Sequence, residues 1–325
     1  KVCQTTCPYC GVGCCVDITT VNGVATDLKG SESHPANLGK LCVKGSNLLE
    51  TIAPEGRLTA PSVNDRQATW DEATQYVADK FADIIEQHGP DAVALYVSGQ
   101  ILTEDYYVAN KLIKGFIGSA NIDTNSRLCM SSAVAAYKRS LGSDTVPCNY
   151  EDLEHTDLLV LIGSNAAWTH PVLFQRMQAA KAKNPELKIV VVDPRKSATA
   201  EFADLFVPIT PGSDVSLFNG LLNYLIKTNA VNNDYIRDFC QGFDLTATTV
   251  EKYDLEFVSQ TCGVSPDQIE TFYQLFASAE RAISFYSQGV NQSIQGVDKC
   301  NAIINCHLAT GKIGKVGSGP FSITG

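Results

Sequence analysis

Five cysteines crowd into the first 15 residues: Cys3, Cys7, Cys10, Cys14 and Cys15. Three of them form a C-x2-C-x3-C run, and Cys42 follows Cys14 after 27 intervening residues, positions 15 to 41. That three-plus-one spacing wraps one short loop around a centre and closes it from elsewhere, and four thiolates suit an iron–sulfur cube. Gly11 and Gly13 let the backbone come close enough for amides to face the sulfurs. Structural zinc is the competing reading, although its usual donors come as two C-x2-C pairs and Cys42 has no near partner. A disulfide scaffold fits less well: twelve cysteines in 325 residues are too few to staple the chain and too clustered for chance. Cys3 and Cys15 are left as small buried hydrophobes or thiols near the cluster. Lys44, two residues beyond Cys42, brings a cation to the centre. It compensates cluster charge or relays hydrogen bonds to a second cofactor, and spacing does not choose between these.

Such a loop needs a frame. Residues 1–60 read as a small cluster-bearing unit with a hairpin at Asn22-Gly23, dependent on its metal for folding. Beyond Pro54 and Pro61 the pattern becomes alternating helices and short apolar strands, which predicts an α/β fold of doubly wound αβα domains with parallel sheets. Thr69 and Glu72 form a capping box for a first helix with Ala73, Tyr76, Val77, Phe81, Ile84 and Ile85 on one face, stopped at Gly89-Pro90. Strands are expected at 92–97, 158–162, 188–192, 205–209 and 282–286. Helices are expected at 103–117, 130–141, 171–182, 214–227, 266–279 and 297–308. Ligands of open α/β sheets bind beyond the carboxyl ends of the strands. Ser98-Gly99-Gln100, Gly163-Ser164-Asn165, Asp193-Pro194-Arg195, Thr210 to Asp214 and Gln288 to Gln292 all follow expected strands.

Composition narrows the partners. Lys plus Arg total 25 against 35 Asp plus Glu, a net charge of -10, which disfavours nucleic acid and anionic membrane surfaces. Apolar runs such as Leu158 to Ile162 fall far short of the roughly 18–20 residues that span a bilayer, so no membrane span is expected. The start at Lys1-Val2-Cys3 shows no export signature, and the clustered thiols suit a reducing, cytoplasmic compartment.

Cys7-Pro8-Tyr9-Cys10-Gly11-Val12-Gly13-Cys14, with Cys42-Val43-Lys44-Gly45, resembles the iron–sulfur segment of the molybdopterin oxidoreductase family. Asn125 to Ala133 resembles the segment that supplies a cysteine ligand to molybdenum in nitrate reductases of that family. Gly163-Ser164-Asn165, His170-Pro171, Asp193-Pro194-Arg195, Thr210 to Asp214 and Asn301 to Gly325 are similar to its assimilatory, cytoplasmic branch. The resemblance implies a [4Fe-4S] cluster on Cys7, Cys10, Cys14 and Cys42, and a molybdenum bis(molybdopterin guanine dinucleotide) held through Cys129, with Lys44 bridging cluster and pterin. It further implies cofactor contacts at Gln100, Asn125, Gly163, Ser164, Asn165, Asp193, Pro194, Gly212, Asp214, Gln288 and Gln292. Each of these also fits an ordinary turn or cap; Asp214 would serve as a helix N-cap. The implied reaction is two-electron reduction of nitrate to nitrite, with electrons from a ferredoxin, a flavodoxin or an NADH-linked reductase subunit. Arg127 is a candidate for nitrate by charge, and equally for a phosphate or an acidic neighbour.

Met130 separates the candidate substrates. Formate dehydrogenases of the family carry a histidine there, which accepts a proton; a thioether does not. Three rivals remain: a formate dehydrogenase, a molybdenum-free electron-transfer subunit, against which Cys129 argues, and a nicotinamide dehydrogenase, against which the missing G-x-G-x-x-G argues. Family members are longer. The resemblance therefore implies an N-terminal portion, inactive alone, with a cluster domain at 1–60, the first part of a second αβα domain at 61–133 and a nucleotide-binding αβα domain at 134–325.

Overall fold

The computed structural model describes residues 1–324. The chain forms two compact units, Lys1–Arg127 and Leu128–Gly325.

The first unit opens with a three-stranded antiparallel sheet: β1 (Val2–Thr6), β2 (Cys15–Val21) and β3 (Val24–Gly30), with β2 central. Asn22 and Gly23 turn β2 into β3 with φ of 51° and 82°, the left-handed pair that a two-residue hairpin requires. The expected hairpin is therefore present. β1 was not legible in the sequence, because it is exposed along its whole length and carries no alternating pattern. The short helix α1 (Val43–Ser46) follows, then the ribbon β4 (Ser62–Val63) with β5 (Arg66–Gln67). Helix α2 (Trp70–His88) starts on the expected capping box: Thr69 Oγ1 accepts from the Glu72 amide, and the Glu72 carboxylate accepts from the Thr69 amide. Gly89, at φ 83°, ends it. Strand β6 (Leu95–Val97) is shorter than expected because Pro90–Ala92 form a tight turn first. The helix expected over 103–117 is α3 (Thr103–Asn110) running into a π-helical stretch, Lys111–Ile117. Strand β7 (Ile122–Thr124) pairs in parallel with β6.

Helix α4 (Ser126–Cys129) spans the boundary between the units, and α5 (Ser131–Leu141) leads to the parallel sheet of the second. The sheet comprises β8 (Leu158–Ile162), β9 (Lys188–Val192), β10 (Leu205–Val207), β11 (Ala282–Tyr286) and β12 (Gly319–Ser322), in the order β10-β9-β8-β11-β12. β10 stops before Pro208, which has no amide to donate. Between β8 and β9 lie α6 (Ala166–Thr169) and α7 (Pro171–Lys183). Between β10 and β11 run α8 (Asp214–Lys227), α9 (Asn233–Phe239), α10 (Phe243–Val250), α11 (Leu255–Cys262) and α12 (Pro266–Ser278). Helices α13 (Gln288–Asn291) and α14 (Gly296–Thr310) precede β12.

Period-two alternation assigns the two faces of this sheet. Leu158, Val160 and Ile162 join Ala136, Tyr137, Phe218, Leu221, Phe272 and Ile303 in one core cluster, so α5, α8, α12 and α14 cover that face. Leu159 and Leu161 join Leu173, Met177, Ile283 and Phe285 in the other, under α7. Helices on both faces leave β8 and β11 buried throughout, the reason they read as unbroken apolar runs. Tyr137 fastens the edge strand: its hydroxyl donates to the Pro320 carbonyl at 2.9 Å and accepts from the Ser322 amide at 3.0 Å. His307 on α14 is wholly buried between Ser284 Oγ at 2.8 Å and the Lys312 carbonyl at 2.9 Å, and burial pushes its pKa down to about 3.

Candidate functional site

In the first unit, the run Cys7 to Cys14 is the loop joining β1 to β2. The Cys7 amide donates to the Cys14 carbonyl at 2.8 Å and the Gly13 amide to the Cys10 carbonyl at 3.3 Å, with Gly13 left-handed at φ 67°. Cys42 stands at the start of α1. The four thiols share one electrostatic neighbourhood. Burial, then charge on Cys10, Cys7 and Cys42, pushes Cys14 up to about 12, and burial likewise raises Cys7. Among the described residues, no three His, Cys, Asp or Glu side chains converge to hold a single metal ion. Four neighbouring thiols, of which burial makes Cys7 and Cys14 resist ionising, are a donor set suited to a polynuclear centre whose iron takes up the negative charge. Lys44 contributes the opposite charge, lowering Cys7, and lies 5.8 Å from the Tyr9 ring centroid. Cys15 is buried and its backbone is held by Asn37, whose side chain accepts from the Cys15 amide and donates to its carbonyl. Cys3 is exposed.

The cluster loop reaches the end of β6. A Cβ on Gly11 would lie 3.0 Å from the Ile101 carbonyl, directly after Gln100. Asn125, at the end of the paired β7, accepts from the Gly99 amide. Gln100 and Asn125 thus stand at adjacent parallel strand ends. Arg127 pairs with Asp123 at 3.6 Å, the acidic-neighbour alternative.

In the second unit the chain reverses its winding between β8 and β11, and ligands of such sheets sit at that switch point. The loops that diverge there touch. The Gly289 amide donates to the Gly163 carbonyl at 3.0 Å, and a Cβ on Gly163 would lie 2.9 Å from Gly289. Ser164, 2% exposed, has a hydroxyl with no hydrogen-bond partner among the described residues, an orphan that a bound polar group would satisfy. Gly212 has φ 91° and open space where a side chain would stand. Pro194 is exposed beside Asp193, whose pKa burial raises. An orphaned hydroxyl, exposed loop backbone and a half-buried carboxylate at strand ends fit a phosphate-bearing nucleotide.

Two expected contacts already have partners. Asn165 Oδ1 accepts from the Thr199 hydroxyl at 2.9 Å, and Asp214 pairs with Lys299 at 2.7 Å with both side chains buried. Lys299 escaped the sequence reading, since only the packing of α14 brings it to Asp214. Cys129 gathers amides: Gln288 Nε2 donates to its sulfur at 3.0 Å and Gln292 Nε2 at 3.6 Å, while Thr324 Oγ1 lies at 3.8 Å. Burial lowers the pKa of His170 and favours the neutral ring, with Nε2 toward the Thr324 carbonyl and Nδ1 toward the Thr169 hydroxyl at 2.8 Å. Asn291 Nδ2 approaches Met130 Sδ at 3.5 Å.

A four-thiol loop ahead of a parallel sheet with a glycine-lined switch point defines a class: a cluster-bearing domain joined to an α/β cofactor-binding domain. The chain belongs to the molybdopterin oxidoreductase family, matching the family's Fe4S4 domain over residues 1–54 and the molybdopterin oxidoreductase domain over 57–324. These domains carry a [4Fe-4S] cluster and a molybdopterin cofactor, which decides against structural zinc. A nitrate reductase of Klebsiella oxytoca is 54% identical over 99% of this chain and 37% of its own length. A nitrate reductase of Shewanella frigidimarina is 50% identical over 100% of this chain and 36% of its own. The chain spans little more than a third of those relatives. The acetylene hydratase of Pelobacter acetylenicus shares the fold, with a TM-score of 0.78 at 23% identity over 97% of this chain and 44% of that one.

Proposed function

We propose that this chain is the N-terminal part of a catalytic chain that reduces nitrate to nitrite with two electrons delivered through the [4Fe-4S] cluster. Cys7, Cys10, Cys14 and Cys42 hold the cluster, and Cys129 is the protein ligand to molybdenum. Lys44 places its charge between cluster and pterin. Gln100, Asn125, Gly163, Ser164, Asn165, Asp193, Pro194, Gly212, Asp214 and Gln292 hold the bis(molybdopterin guanine dinucleotide), Asn165 and Asp214 through groups left over from their internal bonds. The molybdenum, when bound, supplies an open coordination position at which an oxyanion gives up oxygen.

The observation that carries this reading is Met130 beside Cys129. Its thioether cannot take the proton that formate oxidation releases, and the Asn291 and Gln288 amides approach its sulfur at 3.5 and 3.8 Å. The 54% and 50% identities to chains named nitrate reductase support the same substrate. Among the described residues no helix is long and apolar enough to cross a membrane. We place the protein in the cytoplasm with a soluble protein as electron donor, a ferredoxin, a flavodoxin or an NADH-linked reductase subunit. The test is anaerobic oxidation of reduced viologen by the full-length parent with nitrate as acceptor. Nitrate-dependent oxidation is expected; a molybdenum-loaded protein that ignores nitrate and oxidises formate overturns the reading.

A further inference from the structure

Gln288, one of the expected pterin and nucleotide contacts, directs its amide at a sulfur. Its Nε2 lies 3.0 Å from Cys129 Sγ, far closer than an N–H donor usually comes to so large an acceptor, and closer than Gln292 at 3.6 Å or Thr324 at 3.8 Å. The approach is built in. Gln288 opens α13 directly after β11, where Ser287 Oγ donates to the Gly163 carbonyl at 3.2 Å and the Gly289 amide donates to the same oxygen at 3.0 Å. The residue is therefore clamped on both sides at the switch point, with its side chain directed at the cysteine. A thiolate has lone pairs and no hydrogen to give, so the NH2 end of the amide is the end that must face it.

Hydrogen bonds donated to a metal-bound thiolate draw electron density off the sulfur. The ligand then stabilises the oxidised metal less, and the reduction potential rises. We infer that Gln288 is a positioning residue that acts through Cys129, orienting its sulfur and raising the reduction potential of the molybdenum by donating to the thiolate. This rests on Cys129 being the metal ligand.

The test uses the full-length parent chain, loaded and kept anaerobic, as Gln288→Leu, which keeps bulk and loses the donor, and Gln288→Glu, which replaces the donor with a carboxylate. Molybdenum content is measured, and the paramagnetic molybdenum signal is followed through a redox titration. Both variants are expected to retain molybdenum and an unchanged cluster signal. The reduction equilibrium is expected to shift about tenfold towards the oxidised metal in Gln288→Leu, which is about 59 mV for a one-electron step, and further in Gln288→Glu. A shift under twofold in both variants overturns the inference, and so does loss of molybdenum from both, which would make Gln288 a cofactor anchor. Cys129→Ser is titrated alongside. An unaltered molybdenum signal in that variant removes the ligand assignment beneath the inference, whereas an altered one beside unmoved Gln288 variants removes the inference alone.

Discussion

The two units are held together by different physics. In Leu128–Gly325 the strands β8 and β11 bury every residue, and the sheet lies between two apolar clusters. In Lys1–Arg127 the strand β1 is exposed throughout and α2 buries no residue, although the apolar stripe read from its sequence is there, with Tyr76, Val77 and Ile84 between 40% and 49% exposed. What the second unit gains by removing apolar surface from water, the first obtains from hairpin hydrogen bonds, caps and a cysteine-bearing loop closed by its own backbone hydrogen bonds. A cluster bound there is a structural element as much as an electron carrier, because metal-binding energy becomes folding energy where the core is small.

The largest expected effect falls on the thiols of the first unit. Cys14→Ser is expected to abolish the visible absorbance of the cluster and to expose residues 1–54 to protease while 128–324 stays resistant. A resistant N-terminal segment in that variant would show that its hydrogen bonds suffice without the cluster. In the second unit, Phe218→Ala empties a wholly buried site against Phe272 and is expected to cost about 3–5 kcal/mol in urea unfolding of the 325-residue chain. A cost below 1 kcal/mol would contradict the view that this core carries the stability.

Acid tests the same core. His307 is neutral in the fold down to about pH 3, while in the unfolded chain it takes a proton below its ordinary value of 6.5. Below 6.5 the unfolded state therefore binds more protons, so the contribution is fully present above that value and is lost as pH falls towards 3. Its loss is expected to reach about 2 kcal/mol at pH 5, read as a lower urea midpoint of the second unit. A His307→Gln variant with an equally steep pH response would assign the effect to other groups. The smallest effect belongs to the first unit: Thr69→Ala removes the cap of α2 and is expected to cost about 1 kcal/mol, seen as lost helical ellipticity on mild heating.

This contrast also governs what could be read in advance. β8, β9, β11 and α8 have the limits expected from sequence, because a buried parallel strand is an unbroken apolar run and α8 has a broad apolar face. Helices α9 and α11 went unread although Asn232 and Asp254 cap them, since each is two turns or so long, too brief for a repeating apolar face to stand out from the loops around it. β12 was hidden by Gly319-Pro320, residues that argue against a strand except at an edge, which is where it lies. In the site, the cysteines were legible because local spacing encodes them. The Asp214–Lys299 pair and the Gly163–Gly289 contact join segments far apart in sequence, and nothing local announces them.

The surroundings of Cys129 carry a last consequence, for the order of events during synthesis. Gln288, Gln292 and Thr324 follow the cysteine by 159, 163 and 195 residues. While the ribosome is still making those segments, Cys129 is a bare thiol with none of these three donors beside it. The pocket that would receive a metal at this sulfur is thus complete only after residue 324 has been made, and a handover earlier in translation would meet a site not yet built.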